Sequence, residues 1–209
     1  MSFRLSWGIL GTGSIARKFA SELPRSQTGV LAAVGSRTQE SAEKFAADYP
    51  GIRAHASYEA LLADPGVQAV YISTPHPQHA QWAMAAAEAG KHILCEKPLT
   101  LNYPEAMVVV EAARRHNVFL MEAFMYRCHP RTARIAELVR EGAIGTVRLI
   151  RANFSFACAF NPESRLFSNA LGGGGILDVG SYTASIVRLL AGAATERGGR
   201  RFYCASSPR

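Results

Sequence analysis

The chain has 209 residues, of which 48% are apolar, and a formal net charge of +7. This composition excludes a disordered chain, and no apolar run approaches the roughly twenty residues that a membrane span needs. Part of the positive charge lies after Gly192, where four arginines face one acid: Arg197, Arg200, Arg201 and Arg209 against Glu196. Because no basic patch with interleaved aromatic residues occurs, the sequence argues against nucleic-acid binding.

The cysteines and the N-terminus indicate the cellular setting. Cys95, Cys128, Cys158 and Cys204 are far apart and lack zinc-ligand spacing, so we expect incidental or buried thiols and no metal site. The first residues, "MSFRLSWGIL", lead directly into a strand pattern without a small-residue cleavage site. A cytoplasmic location is therefore predicted.

Short apolar runs alternate with stretches of helical period through the first part of the chain. Strands are predicted at 5–10, 29–36, 68–73, 92–96 and 118–123, and helices at 14–23, 38–49, 57–64, 77–90 and 102–116. The strands are almost continuously apolar, as in a sheet that is covered on both faces. Gly90 and Asn117 stand at predicted helix ends, where a left-handed residue is easily accepted. Residues 1–123 are therefore predicted to form a doubly wound α/β domain with a parallel sheet.

The pattern changes after residue 123. A helix is predicted at 130–145, followed by a long strand, "TVRLIRANFSFACAF", at 146–160 with the partial alternation of a sheet covered on one face. Residues 124–192 are thus predicted to be a truncated α+β domain containing part of an open, mostly antiparallel sheet. The stretch 193–209, rich in Arg, Gly and Ser, is predicted to be a divergent, disordered tail.

A glycine-rich pattern follows the first predicted strand and opens the first predicted helix. It is the GxGxxA sequence Gly11, Thr12, Gly13, Ser14, Ile15 and Ala16. Glycine permits the tight turn and the close approach of backbone to a diphosphate, and Ala16 allows close packing of helix on sheet. The free N–H groups at the helix start attract anions. Dinucleotide binding is predicted.

The end of the second predicted strand indicates which dinucleotide is bound. An acid at this position usually binds the 2′-hydroxyl of NAD, but the chain has Ser36 and Arg37 there. A guanidinium suits the 2′-phosphate of NADP, so NADP is favoured over NAD. In the alternative interpretation, Arg37 is solvated and Ser36 or Thr38 caps the next helix.

Four motifs in order resemble the glucose–fructose oxidoreductase, inositol dehydrogenase and rhizopine-catabolism (Gfo/Idh/MocA) family. They are the GxGxxA loop, "STPHPQHA" at 73–80, "CEKPL" at 95–99 and "GGGGILDVGSYT" at 172–183. Tyr182 and "MEAFMYRCHP" at 121–130 are most similar to the dihydrodiol and D-xylose dehydrogenase branch. The resemblance implies a Rossmann domain followed by an open sheet, through which members pair as homodimers. It also implies hydride transfer between a nicotinamide and an oxygen-bearing carbon of a sugar or dihydrodiol.

Lys97, Tyr182 and Asp178 are the predicted catalytic residues. Lys97 directly follows a strand, so it points to the crevice where doubly wound sheets bind ligands. There it would stabilise developing negative charge, with Tyr182 as the general acid/base and Asp178 orienting the substrate. Glu96 would lie beside the nicotinamide or hold the lysine, and the resemblance implies a cis Lys97–Pro98 bond. The alternatives are a solvated turn for Lys97 and a packing role for Tyr182.

The remaining candidates come from the resemblance and from their place after strands. Thr74 and Pro75 resemble the nicotinamide-side loop of the family, and His79 resembles its ribose or nicotinamide contact, although a helix cap is an alternative for His79. Arg127 and His129 are expected to line the substrate pocket.

Two functions remain open on the sequence alone. The first is an NADP-dependent oxidoreductase acting on a sugar or a trans-dihydrodiol. The second is a catalytically inactive nucleotide-binding or interaction protein derived from such an enzyme.

Overall fold

Six parallel strands form one sheet in the computed structural model, which describes residues 4–192. They are β1 (Leu5–Leu10), β2 (Gly29–Gly35), β3 (Arg53–His55), β4 (Ala69–Ile72), β5 (His92–Glu96) and β6 (Leu120–Ala123). Their order across the sheet is β3-β2-β1-β4-β5-β6, and every neighbouring pair is parallel. The doubly wound fold class is confirmed. Strand β3, only three residues long, was not predicted.

The helices before β6 begin and end close to their predicted positions. They are α1 (Ser14–Glu22), α2 (Gln39–Ala46), α3 (Tyr58–Leu62), α4 (His79–Glu88) and α5 (Tyr103–Arg115). Thr38, Ser57 and Asn102 cap α2, α3 and α5 by accepting a backbone N–H with the side-chain oxygen. Gly90 and Asn117 have left-handed backbone angles just after α4 and α5, as predicted.

Two apolar layers cover the sheet. Successive strand residues point to opposite faces, so Ile9 and Val34 pack against α1 and α2 while Leu10 and Ala33 join the layer of α3, α4 and α5. Both layers consist of fully buried side chains. The carboxyl ends of the strands are thereby held rigidly at one edge of the sheet.

The chain after β6 contains α6 (Pro130–Arg140), a short π-helix (Ile176–Gly180) and α7 (Ser181–Ala191). The helix predicted at 130–145 ends at Arg140, because Gly142 takes a left-handed conformation. The strand predicted at 146–160 is wrong. This stretch has no regular secondary structure, since no strand among residues 4–192 lies beside it to exchange backbone hydrogen bonds. Its Phe154, Phe156 and Phe160 are exposed.

Two further predictions from the sequence concern a membrane-spanning segment and the C-terminal tail. No helix in the described part is long and apolar enough to cross a membrane. The tail predicted at 193–209 lies outside the described residues.

Asp64 connects the edge strand β3 to the turn that precedes β4. Its Oδ2 accepts from Arg53 Nε at 2.6 Å and lies 3.0 Å from His55 Nε2, while Oδ1 accepts from Gly66 N at 2.8 Å. Burial opposes ionisation of Asp64, but these hydrogen bonds outweigh it and lower the pKa of the carboxyl to about 2. The ionised carboxylate therefore stabilises this edge of the sheet.

Asp64→Asn should lower the free energy of unfolding by about 1–3 kcal/mol at pH 7, because it weakens several hydrogen bonds that the carboxylate accepts. The folded-state pKa lies below the unfolded value, so this stabilisation is present above about pH 4 and is lost as the pH falls towards 2. Urea unfolding of both proteins at pH 7, 5 and 3 measures the difference. Asp48→Asn, at a side chain that is 59% exposed, is the control and should change stability by less than about 1 kcal/mol. A difference for Asp64→Asn that does not shrink between pH 5 and pH 3 would contradict this account.

Candidate active site

A cleft of about 1220 Å³ opens at the carboxyl-end edge of the sheet. It begins at the loop after β1, passes the ends of β2, β4 and β5, and reaches α7. Its lining includes all the predicted catalytic and cofactor-binding residues except Ala16 and Asp178. Residues that are far apart in sequence thus share one continuous surface.

The loop after β1 has the geometry of a phosphate site. Gly11 has φ +109°, and a Cβ there would lie 2.9 Å from Ser73 Oγ, so only glycine fits. A Cβ on Gly13 would meet nothing, which leaves its backbone open to the cleft. Gly13 is also the N-cap of α1, and no side chain caps the helix. Ala16 belongs to α1 and is fully buried where this helix packs on the sheet. The helix N-terminus is therefore available to an anion.

The end of β2 presents hydroxyls and a guanidinium but no acid. Ser36 is buried, whereas Arg37 is exposed and lines the cleft. Thr38 caps α2 by accepting from Ser41 N at 3.2 Å. This observation assigns the helix cap to Thr38, so Ser36 and Arg37 remain directed at the cleft edge.

Lys97 is joined to the segment after β6 through Asp178. Its ammonium donates to the backbone oxygen of Asp178 at 2.6 Å and to Oδ1 at 3.2 Å. The Lys97 side chain is only 12% exposed, and the Lys97–Pro98 bond is cis, as the resemblance implied. The alternative in which Lys97 lies in a solvated turn is therefore not supported by the structure.

Arg165 is a second cation on the same carboxylate, and it was not predicted from the sequence. Its Nη1 donates to Asp178 Oδ1 at 3.1 Å. Burial opposes ionisation of Asp178, but the hydrogen bonds from Arg165 and Lys97 outweigh it and hold the pKa below its usual range. Arg165 is a lone arginine in a loop, with no motif to distinguish it.

Tyr182 lies in a cluster of aromatic rings beside Lys97. Its ring centroid is 5.4 Å from those of Phe124 and Phe154, and the Lys97 ammonium lies 5.0 Å from it. Burial raises the pKa of the phenol, and the nearby carboxylates Glu96 and Asp178 raise it further. The hydroxyl is therefore protonated at neutral pH and can act as a proton donor.

Glu96 is held from two sides. Tyr71 donates its hydroxyl to Glu96 Oε1, and the backbone N–H of Lys97 donates to Oε2 at 3.2 Å. Glu96 therefore holds the lysine's backbone rather than its ammonium. Burial raises the pKa of the Tyr71 phenol, so this hydroxyl stays protonated and remains a donor.

His79 connects two loops. The ring is fully buried; Nδ1 lies 2.7 Å from the oxygen of Pro98 and Nε2 lies 2.8 Å from the oxygen of Thr74. Burial lowers the pKa of His79, although both carbonyls oppose the shift. Because both ring nitrogens meet backbone oxygens, the ring has no free nitrogen for a cofactor.

Two buried polar atoms in the cleft wall lack partners in the described part of the chain. They are Thr74 Oγ1 and His76 Nδ1. Burial lowers the pKa of His76 to about 4, with His79 and Arg165 adding to the effect, so this ring is neutral at pH 7. Unpaired buried polar atoms are costly, and a polar ligand in the cleft would satisfy them.

The expectation for Arg127 and His129 is wrong. Neither residue lines the cleft, whereas Met125 and Cys128 do. His129 is the N-cap of α6, and its Nδ1 accepts from Arg131 N at 3.1 Å.

The sequence matches two protein-family models. Residues 5–124 match the GFO/IDH/MocA oxidoreductase family with an NAD-binding Rossmann fold, and residues 132–199 match the GFO/IDH/MocA C-terminal domain. The first match alone covers more than half of the chain.

Individual relatives agree with these matches. The chain is 42% identical over 188 residues to D-xylose 1-dehydrogenase (NADP(+)) 2 of Haloferax volcanii, covering 90% of this chain and 58% of the relative. It is 40% identical over 192 residues to trans-1,2-dihydrobenzene-1,2-diol dehydrogenase of Mus musculus, covering 90% and 57%. A solved 3-ketoreductase of Actinomadura kijaniata, in complex with NADP and TDP-benzene, superposes with a TM-score of 0.78 at 33% identity, covering 91% and 58%.

The chain thus spans a little over half the length of the relatives that it matches. Within that span, the parallel sheet in the order β3-β2-β1-β4-β5-β6 has the Rossmann topology that the description of the matched family names. The chain belongs to the GFO/IDH/MocA family of oxidoreductases with an NAD-binding Rossmann fold.

Proposed function

We propose that the chain is an NADP-dependent oxidoreductase acting on a CH–OH or C=O carbon of a sugar or a trans-dihydrodiol. One observation carries the proposal: Lys97 and Tyr182, distant in sequence, line the same cleft as the GxGxxA loop, with the ammonium 5.0 Å from the phenol ring centroid. A proton donor and a cation thereby lie at one end of a site whose other end suits phosphates.

The residues of the cleft suit a dinucleotide along its length. The uncapped start of α1, with Gly11 and Gly13, would hold the diphosphate. Thr74, Pro75 and Glu96 would lie on the nicotinamide side, where the unpaired Thr74 hydroxyl would gain a partner. The nicotinamide supplies or accepts the hydride, and the protein handles the proton.

NADP is favoured over NAD by the charge at the end of β2. Arg37 and the hydroxyls around it can bind a 2′-phosphate, and no carboxylate stands there to bind a 2′-hydroxyl. The Haloferax relative is named for NADP, and the Actinomadura enzyme was solved with NADP bound. These likenesses support the same choice.

Proton transfer is assigned to Tyr182. When a carbonyl is reduced, its oxygen gains negative charge, and the protonated Tyr182 hydroxyl would donate to it. The Lys97 ammonium, held by Asp178, would stabilise that charge. In this proposal Asp178 orients the ammonium rather than the substrate, because its side chain does not line the cleft. Arg165 is a second cation on the same carboxylate, whose charge Lys97 alone already neutralises.

The substrate class follows from the same geometry and from the relatives. Phe124 lines the cleft beside Tyr182 and would shield one side of the reacting carbon from water. The two similar relatives are named for D-xylose and for a dihydrobenzene diol, both of which carry adjacent hydroxyls. A vicinal diol or its ketone is the common feature.

A homodimer and a cytoplasmic location belong to the same proposal. Analytical ultracentrifugation would test whether the chain forms a dimer.

A second candidate is cofactor binding without turnover. Phe154, which packs on Tyr182, is itself 49% exposed, and Phe156 and Phe160 beside it are at least as exposed. The side of Tyr182 on which Phe154 packs is therefore open to solvent in the described part of the chain. NADPH fluorescence would report binding under either candidate, while turnover on pentoses, hexoses and aromatic dihydrodiols would occur only under the first.

Tyr182→Phe should reduce turnover by about 10²–10⁴-fold, because the proton donor is lost while the ring stays in place. The dissociation constant for NADPH should hardly change. Tyr126→Phe is the matched control: it removes a hydroxyl from the same aromatic cluster, one that donates to Ser185 Oγ at 2.8 Å. Steady-state kinetics and fluorescence titration measure both effects. Equal turnover in wild type and Tyr182→Phe would remove Tyr182 from the mechanism.

Arg37→Asp should abolish the preference for NADP. Losing charge-assisted hydrogen bonds to the 2′-phosphate should weaken NADPH binding by roughly 10–100-fold, with little loss for NADH. Arg115→Asp, an identical charge change at the exposed end of α5, controls for the overall field of the protein. Titrations with both nucleotides give the ratio of dissociation constants. A ratio that is the same in wild type and Arg37→Asp would refute the assignment of Arg37.

A further inference from the structure

Residues 97, 98 and 99 surround the cis peptide bond, and each has one backbone group in contact with the side chain of a glutamate or a histidine. The Lys97 N–H donates to Glu96 Oε2, the Pro98 oxygen meets His79 Nδ1, and the Leu99 N–H donates to Glu122 Oε1 at 2.8 Å. The side chains come from β5, α4 and β6 respectively. Such a loop, with no regular hydrogen bonds of its own, takes its shape from these contacts.

His79 carries this restraint to a second loop. Its other nitrogen meets the oxygen of Thr74, which follows β4. One fully buried ring therefore spans the loops after β4 and β5. Both loops line the cleft. The neutral ring carries one N–H, so it donates to one of the two carbonyl oxygens and packs against the other.

Glu122 acts from behind the cleft. Its side chain does not line the pocket, although its neighbours Met121 and Ala123 do. Its carboxylate accepts the Leu99 N–H, two residues after Lys97. Glu122 is therefore not placed to contact the cofactor or the substrate directly.

We propose that Glu122 and His79 are positioning residues that fix the direction of the Lys97 side chain by holding Leu99 and Pro98. The consequence for turnover rests on the proposed function, but the geometric claim does not. The Lys97 ammonium reaches Asp178 at the end of a flexible four-carbon stem, so its position depends on the backbone from which it extends. A displacement of about 1 Å in a catalytic group can cost 10²-fold in rate.

Lysine labelling tests the geometric claim without any turnover. Lys97, held on Asp178, should react slowly with a succinimidyl ester, and exposed Lys44 is the reference within the same molecule. Glu122→Leu removes the acceptor and should speed labelling of Lys97 relative to Lys44 by about fivefold, the factor expected for one lost hydrogen bond. Glu122→Gln keeps an acceptor oxygen and should stay within about twofold of wild type. Equal labelling in the Leu variant and wild type, at an unchanged melting temperature, would overturn the proposal.

Hydrogen exchange on the unmodified chain keeps the proposal testable if Glu122→Leu does not fold. The Leu99 amide, bonded to Glu122, should exchange far more slowly than an unstructured amide. Free exchange at Leu99 in the wild-type protein would equally overturn it.

Kinetics then separate this claim from the proposed function. Glu122→Leu should lower kcat by at least about tenfold with little change in the KM for NADP. In a Lys97→Ala background the same substitution should cost nothing further, because its effect acts through Lys97. If the labelling results hold and the wild-type chain does not turn over, the proposed function fails while the positioning role stands. A full additional loss in the Lys97→Ala background would contradict the positioning role.

Discussion

The ion pair between Lys97 and Asp178 joins parts of the chain that are 81 residues apart. Lys97 belongs to the loop after β5, and Asp178 to the π-helix that leads into α7. Their contact brings Tyr182, four residues after Asp178, to the cleft that the glycine loop shares. Tyr182 also packs against Phe124, which follows β6, so the ion pair and this aromatic contact together place the cation and the phenol on one surface.

Burying this pair is costly unless every charge has a partner. Here the Asp178 carboxylate receives two cations, Lys97 and Arg165. The nearby Glu96 carboxylate is satisfied by the Tyr71 hydroxyl and a backbone N–H. Charges and hydrogen bonds thus compensate locally, and among residues 4–192 the buried Thr74 hydroxyl has no hydrogen-bond partner.

Much of the fold could be predicted because parallel strands buried on both faces give continuous apolar runs. Strand β3 was missed because "RAH" is short, polar and half exposed. The strand predicted at 146–160 failed for a different reason: its alternation is real, but a strand exists only beside a partner strand. Sequence pattern records what a segment could pair with, not whether the pair is present.

Where a motif places a residue at a strand end, as for Gly11, Arg37 and Lys97, its position at the cleft could be predicted, and its role in binding or catalysis stays a prediction. Arg165 and Glu122 carry no such signal, because their contacts depend on how loops fold back across the sheet. The family resemblance predicted that His79 contacts the ribose or the nicotinamide of the cofactor. Its ring instead bridges two carbonyl oxygens, an arrangement that only coordinates reveal.

We propose that the nicotinamide binds between the end of β4 and the Lys97–Tyr182 pair. A crystal structure of this chain with NADP bound tests that placement most directly. We expect the diphosphate at the start of α1, the 2′-phosphate at Arg37 and the reactive face of the nicotinamide against Lys97 and Tyr182. A nicotinamide bound away from those two side chains, or a dinucleotide bound outside the cleft, would contradict the account.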